Sequence, residues 1–317
     1  MTEAVIPRPL AWFRVARLQF YPMVIFVYGA GAIAAALAAG AFDWTRALLA
    51  YACLFLIEFA TVLTNEHFDY ESDRRNHNAS PFTGGSRMLV VGALRHHEVQ
   101  RAATGAIAVL LVVSGLLLSR TPSEYRLPML VLIALGAVLG LGYTAPPLKL
   151  SYRGYGEIVV SFTHSTYAML FGWVSQGGDW HNPLPYLVSM PVFCAVFAAN
   201  TVAGIPDHAA DASVNKRSYS VIFGPTRAAL IASFAAVLAS VGGITLWMDG
   251  LVPGKFGLVF FLTVPHALAL AFVLTRFARS GNYDRRIDSI MINALNFIMW
   301  FGLIPFAYFL WRLRGSS

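Results

Sequence analysis

The sequence predicts an all-α protein, a polytopic membrane bundle of about nine transmembrane helices. Three observations predict it. Hydrophobic residues make up 57% of the chain and charged residues only 12%, against about 25% charged in a soluble domain. About nine runs stay apolar over roughly the 20 residues a helix needs to cross a bilayer. Strand-period alternation is absent, which argues against a membrane β-barrel and leaves helices to satisfy the backbone in lipid.

The runs fall near 20–40, 46–64, 102–119, 127–143, 157–174, 184–204, 226–247, 256–275 and 291–311. The first follows Arg14 and Arg17, as a secretory leader would. It is too long for a leader's apolar region and ends in no small-residue cleavage site, so it reads as a retained helix. The second ends in "NEHFDYESD", residues 65–73. The fourth carries Gly136 and Gly140, a small-xxx-small spacing that reads as close packing within the bundle. The sixth ends in "NTVAGIPDHAADASVNKRS". His164, His266, Asn293 and Asn296 read as hydrogen-bonding glue between helices. Glu58 reads either as a residue behind a metal site or as a helix-to-helix partner. Cys53 and Cys194 lie inside spans and read as packing residues.

The net charge of +7 does not point to nucleic acid, because its distribution fits a membrane protein. With nine spans, 17 of the 23 Lys and Arg fall on the N-terminal side: three before the first span, five after the second, two after the fourth, three after the sixth and four after the eighth. The positive-inside rule then places the N-terminus and the loops around 65–101, 143–156 and 205–225 in the cytoplasm, with the C-terminus outside. In a prokaryote the membrane is the plasma membrane.

The cytoplasmic ends of the second and sixth spans carry the chemistry. Asn65, Asp69 and Asp73 are spaced i, i+4, i+8 and share one helix face. Asp207 and Asp211 repeat the spacing, with Asn200 seven residues earlier. Carboxylates here face the negative end of a helix dipole and repel one another. A divalent cation relieves both problems, and Mg2+ suits, since it takes one or two carboxylates and fills its shell with water and phosphate oxygens. Bases stand beside the acids: Arg87 in "TGGSRML", Lys149 and Arg153 with Tyr143 in "YTAPPLKLSYRGYGE", and Lys216 and Arg217 in "NKRS". Acids for a metal and bases for an anion describe a diphosphate site.

These motifs resemble those of the UbiA-type intramembrane prenyltransferases. "NEHFDYESD" resembles that family's N-D-x-x-D-x-x-x-D, and "DHAAD" followed by "NKRSYSVIFG" resembles its second acidic motif and the G-K-R-T-L-like run after it. "YTAPPLKLSYRGYGE" resembles its loop between the fourth and fifth helices. Glu66 replaces the usual Asp, Asn215 the usual Gly, and Ser218-Tyr219 the usual Thr-Leu. The resemblance implies one UbiA-like domain over residues 1–317 and transfer of a polyprenyl group from its diphosphate to an acceptor, usually aromatic. It implies Asn65, Asp69, Asp73, Asp207 and Asp211 as Mg2+ ligands, the four aspartates as catalytic, and Asn65, Arg87, Tyr143, Lys149, Arg153, Asn200, Lys216 and Arg217 as substrate-binding. "TGGSRMLVVGAL" resembles the menaquinone-pathway enzymes that prenylate dihydroxynaphthoate, whereas "YTAPP" resembles archaeal-type and carotenoid-modifying members. A terpene cyclase, or a carotenoid or lipid prenyltransferase, stays open as an alternative. A cation-coupled transporter would instead place its acids near the midplane on broken helices.

Overall fold

The protein is described by a computed structural model covering residues 6–248 and 255–315. Helices carry the chain, and no strand occurs among the described residues. In order they are α1 (Arg8–Ala16), α2 (Tyr21–Ala39), α3 (Trp44–Phe68), α4 (Tyr70–Arg75), α5 (His96–Arg120), α6 (Ser123–Leu141), α7 (Gly156–Phe162), α8 (Ala168–Ser175), α9 (Pro183–Ala203), α10 (His208–Ser213), α11 (Tyr219–Phe223), α12 (Pro225–Met248), α13 (Thr263–Ser280) and α14 (Asp288–Gly315).

Local chemistry sets the boundaries. Asp43 caps α3, its side chain accepting from the Arg46 N–H at 2.9 Å, and Asn182 caps α9 just ahead of Pro183. Such caps satisfy otherwise orphaned amide groups. Gly40 closes α2 in the left-handed region, at φ 76°.

Eight helices among the described residues are long and apolar enough to cross a membrane. The first of them runs Arg8–Ala39, joining α1 and α2. The fifth expected span, 157–174, is not among them; it corresponds to α7 and α8 with a π-helical turn, Thr163–Tyr167, between them. The cause is local. The Ser161, Thr163 and Ser165 hydroxyls each donate to a carbonyl four residues back, and such side-chain bonds compete with the α-ladder. A second departure lies after α9. Asn200 and Asp207, seven residues apart, do not share one helix, because the chain turns at Gly204–Asp207 before α10 starts. Pro206, which lacks an N–H, sits in that turn.

Small residues let the helices approach. Lipid offers no hydrophobic drive between helices, so close packing matters more. α2 packs between α8 and α14. A Cβ on Gly31 would lie 2.0 Å from the Met169 carbonyl oxygen, and one on Gly172 would lie 2.1 Å from that of Tyr28. α12 meets α9 and α13 with a stripe of buried alanines that includes Ala228, Ala232 and Ala239. Gly136 and Gly140 do serve close packing: they abut the Tyr167 hydroxyl and Thr61. Ala11 and Val15 of α1 form a separate small core with Leu63, Met88, Leu89, Leu94 and Val99. That core straps the 76–95 loop to α3 and α5, and the loop forms one wall of the site.

Candidate active site

The two acidic motifs lie far apart in sequence and meet in space. α3 stops at Phe68 and α4 resumes at Tyr70, yet the ladder carries on: the Asp69 N–H reaches the Asn65 carbonyl at 2.8 Å, and the Asp73 N–H reaches that of Asp69 at 2.9 Å. α10 packs directly on α4. Ser72 Oγ donates to Asp211 Oδ1 at 2.8 Å, and Asn76 Nδ2 donates to Asp207 Oδ1 at 2.7 Å. Between the motifs lies a polar cavity of about 190 Å³, lined by Asn65, Asp69, Asp73, Asp207, Asp211 and Lys216 among others.

Lys216 bridges the motifs electrostatically. Its Nζ lies 3.0 Å from Asp69 and 3.8 Å from Asp211. Burial opposes its charge, but Asp69 and Asp211 outweigh that and hold the ammonium protonated well beyond the usual lysine range. Asp69 also accepts from the Tyr152 hydroxyl at 2.9 Å. The Asp73 carboxyl is pushed well up, by burial first and then by the charges of Asp69 and Glu66. Burial and the neighbouring Asp211 raise Asp207 to about 6. These shifts are the mark of crowded, desolvated carboxylates.

The glycine pair of "TGGSRML" wraps over these acids. Gly84 N–H donates to Asp207 Oδ2 at 3.1 Å. Gly85 has φ 68°, and a Cβ there would stand 1.9 Å from Asp73 Oδ2, so only glycine fits at this position. Glu66, the departure in the first motif, accepts from both the N–H and the hydroxyl of Ser86 and so anchors the same loop. Asn215, the departure in the second, has φ 60°, a left-handed conformation that Asn tolerates better than most residues.

The other expected site residues divide between the cavities and the surface around them. Asn65, Tyr143 and Asn200 line the polar cavity and also a larger apolar one of about 620 Å³ behind it. Asn65 Oδ1 accepts from Thr144 at 2.7 Å. Arg87 lines neither cavity; its guanidinium donates to the Asp73 and Asn76 carbonyls at 2.8 and 2.7 Å and so closes the end of α4. Lys149 lies over the Tyr152 ring, 4.8 Å from its centroid, and Arg153 donates to the Pro147 carbonyl. Neither lines either of these two cavities, and Arg217 is exposed. Of the five expected bases, Lys216 alone lines the polar cavity.

Arg17, Asn76 and Glu157 line that cavity too, and none stood out from sequence spacing. Arg17 reaches it from the turn between α1 and α2 in a left-handed conformation, φ 52°. Glu157 Oε1 accepts from the Tyr219 N–H at 2.7 Å, while its Oε2 is buried without a partner. Glu58 faces the apolar cavity instead, with its Oε1 3.6 Å from His164 Nε2. Of its two readings, the helix-to-helix partnership is the one the geometry contains. His266 likewise links α13 and α14, accepting from Trp300 and meeting Asn293.

The donor set suits a hard divalent cation. The side chains facing the polar cavity offer carboxylate and amide oxygens, and no sulfur or imidazole lines it. No three of His, Cys, Asp or Glu among the described residues gather closely enough to cage an ion. Mg2+ does not require such a cage, because it is bound by one or two carboxylates and completed by phosphate and water oxygens.

Comparisons with known proteins bear on the family and the fold. The chain is 25% identical over 223 residues to the 1,4-dihydroxy-2-naphthoate octaprenyltransferase of Bacillus subtilis, covering 68% of this chain and 66% of that one, just under two thirds of its length. It is 26% identical over 251 residues to a lycopene elongase/hydratase of Corynebacterium glutamicum, covering 77% and 78%. A UbiA homologue from Archaeoglobus fulgidus, solved bound to DMAPP and Mg2+, superposes with a TM-score of 0.59 at 15% identity, over 92% of this chain and 98% of that one. The sequence profile of the UbiA prenyltransferase family matches residues 23–302, which embrace both acidic motifs and the glycine loop. This protein is a member of the UbiA prenyltransferase family.

Proposed function

We propose that the protein transfers a prenyl group from its diphosphate to an aromatic acceptor in a Mg2+-dependent reaction, in one UbiA-like domain. One observation carries the reading: two acidic motifs and a buried Lys216 surround a polar cavity that opens directly into an apolar one. That junction matches an amphiphile with a diphosphate head and a hydrocarbon tail. Asn65, Asp69, Asp73, Asp207 and Asp211 would hold the metal. When bound, the metal supplies Lewis-acid stabilisation of the departing diphosphate.

The chain's own residues account for the rest. The Lys216 ammonium is positioned to donate to a diphosphate oxygen, a charge-assisted bond that strengthens as charge builds on the leaving group. Asn65 and Asn200 stand where the head meets the tail. The rings of Phe20, Tyr21, Phe82, Tyr143 and Tyr167 line the apolar side, and π-faces stabilise an allylic cation. A mostly apolar wall keeps water from quenching it.

A dihydroxynaphthoate-like acceptor is favoured by the "TGGSRMLVVGAL" resemblance and by the Bacillus relative. The Corynebacterium relative favours a second reading, with a carotenoid acceptor. The test is product analysis after purified protein meets Mg2+, prenyl diphosphates of graded length and each acceptor. A prenylated naphthoate supports the first reading and a prenylated carotenoid the second. A cyclic hydrocarbon without acceptor turns the protein into a cyclase. Absence of Mg2+-dependent diphosphate release with every prenyl diphosphate would overturn all three.

A further inference from the structure

Glu58 and His164 face the apolar cavity, where an ionisable residue is expensive and needs a reason to be there. Their chemistry is constrained by the contacts of His164 Nδ1. It lies 3.0 Å from the Val160 carbonyl oxygen, which can only accept, and 3.1 Å from the Thr163 hydroxyl, whose own proton is directed at the Val159 carbonyl, so both contacts favour the proton on Nδ1. In the neutral ring, Nε2 is then a lone pair. It points at Glu58 Oε1, 3.6 Å away. Two acceptors that face each other can take up one proton, held on the imidazole or on the carboxyl. The pair is therefore a built proton site. The π-helical turn at Thr163–Tyr167 is what carries His164, and such turns often mark functional positions.

A second observation points to a ligand at the same place. Tyr21 lines this cavity, and its hydroxyl is buried with no hydrogen-bond partner. A buried hydroxyl without a partner is costly unless a bound molecule completes it. Glu58 stands seven residues before Asn65 on α3, about 10 Å along the helix axis. The pair is thus separated from the acidic cluster by roughly the length of a small ring system, across the junction of the two cavities.

We infer that Glu58 and His164 accept the proton that the acceptor loses, and that the acceptor carries a hydroxyl which Tyr21 and this pair bind. The inference rests on the prenyltransferase reading above. The C1–O bond of the prenyl diphosphate breaks, and its electron pair leaves with the diphosphate. An electron pair of the acceptor forms the new bond to C1. The proton the acceptor then sheds moves to the Glu58–His164 pair in its proton-free state and passes later to water. Atoms and charge balance without an oxidant or reductant. The acceptor class is a hydroxylated, ring-bearing molecule, whose hydroxyl the pair and Tyr21 would bind.

The test separates ionisation from transfer. Glu58→Gln and His164→Ala are compared with wild type in two assays: Mg2+-dependent diphosphate release without acceptor, and prenylation of dihydroxynaphthoate at saturating acceptor. Loss of a general base costs 10²–10⁴-fold, so transfer should fall about 100-fold in each variant while diphosphate release stays within about twofold. Tyr21→Phe should raise the acceptor KM with a smaller effect on kcat. The inference is overturned if either pair variant transfers at the wild-type rate, or if both assays fall in parallel, as structural glue would predict. Wild-type protein that ionises no prenyl diphosphate sinks the prenyltransferase reading itself, a separate and distinguishable failure.

Discussion

At the scale of single residues, the site is a problem in crowded charge. Asp69, Asp73, Asp207 and Asp211 share one small cavity with a single lysine. Asp69→Asn and Asp207→Asn should each reduce turnover at least 10³-fold while leaving the melting temperature in detergent within a few degrees of wild type. Retained activity in either variant, or in EDTA, would remove the metal from the mechanism. Gly85 makes a sharper prediction. Gly85→Ala places a methyl group on Asp73 Oδ2 and costs a further ~1–2 kcal/mol for left-handed backbone. Activity should collapse although no ionisable group has changed, and Gly92→Ala, also left-handed but with open space around it, should leave turnover unaltered.

Much of this was legible in advance. The i, i+4 spacing put Asp69 with Asp73 and Asp207 with Asp211, and the cost of such clusters argued for a cation between them. The bases were harder. Arg87, Lys149 and Lys216 look alike on paper, and all stand near an acid or a Gly. What separates them is the direction of a long side chain, which tertiary contacts set. Arg87 is spent on two carbonyls, while Arg17, read only as a topology charge, enters the cavity from a left-handed turn.

At the scale of elements, helix ends and one helix defect place the chemistry. Asp43 starts α3, and Gln176 at the end of α8 clamps the Asp43 backbone through both its amide groups. The Asp43 carboxyl is held below its usual range, first by the Arg46 N–H. A depressed folded-state value gives stability that is present above the unfolded value of 3.8 and lost as pH falls through the folded one. Asp43→Ala should therefore cost about 1 kcal/mol of stability at neutral pH, and wild type and variant should converge in detergent melts as pH drops below about 4. Equal melting temperatures at neutral pH would refute the cap. The π-turn inside the fifth span could not be read from hydropathy, which averages over residues and is blind to backbone register. Its signal was the polar run from Ser161 to Ser165, where hydroxyls compete for carbonyls. The break at Gly204–Asp207 had a plainer marker in Pro206.

At the scale of the whole molecule, the bundle was legible because apolar runs of membrane length admit few other structures. Across nine expected spans the charge bias of 17 against 6 predicts that the loops bearing the acidic motifs face the cytoplasm. A cysteine at Ser86, in protein whose Cys53 and Cys194 have been replaced, should resist a membrane-impermeant maleimide applied to intact cells and react once they are opened. Labelling from outside would reverse the topology.

The junction between the 190 Å³ polar cavity and the 620 Å³ apolar one has a pharmacological consequence. Each chamber suits one half of an amphiphilic inhibitor. A bare bisphosphonate meets carboxylates that repel it unless metal is present, and a plain hydrocarbon gains little over the surrounding lipid. An inhibitor has to straddle the boundary, with a metal-chelating head joined to a greasy arm that passes Asn65 and Asn200. Each methylene buried on that arm is worth up to ~0.8 kcal/mol against an aqueous reference, and less for a compound already dissolved in the membrane. Potency measured in detergent should therefore climb steeply with arm length, whereas in lipid vesicles the same series should flatten, because the bilayer competes for the tail that the enzyme has to hold.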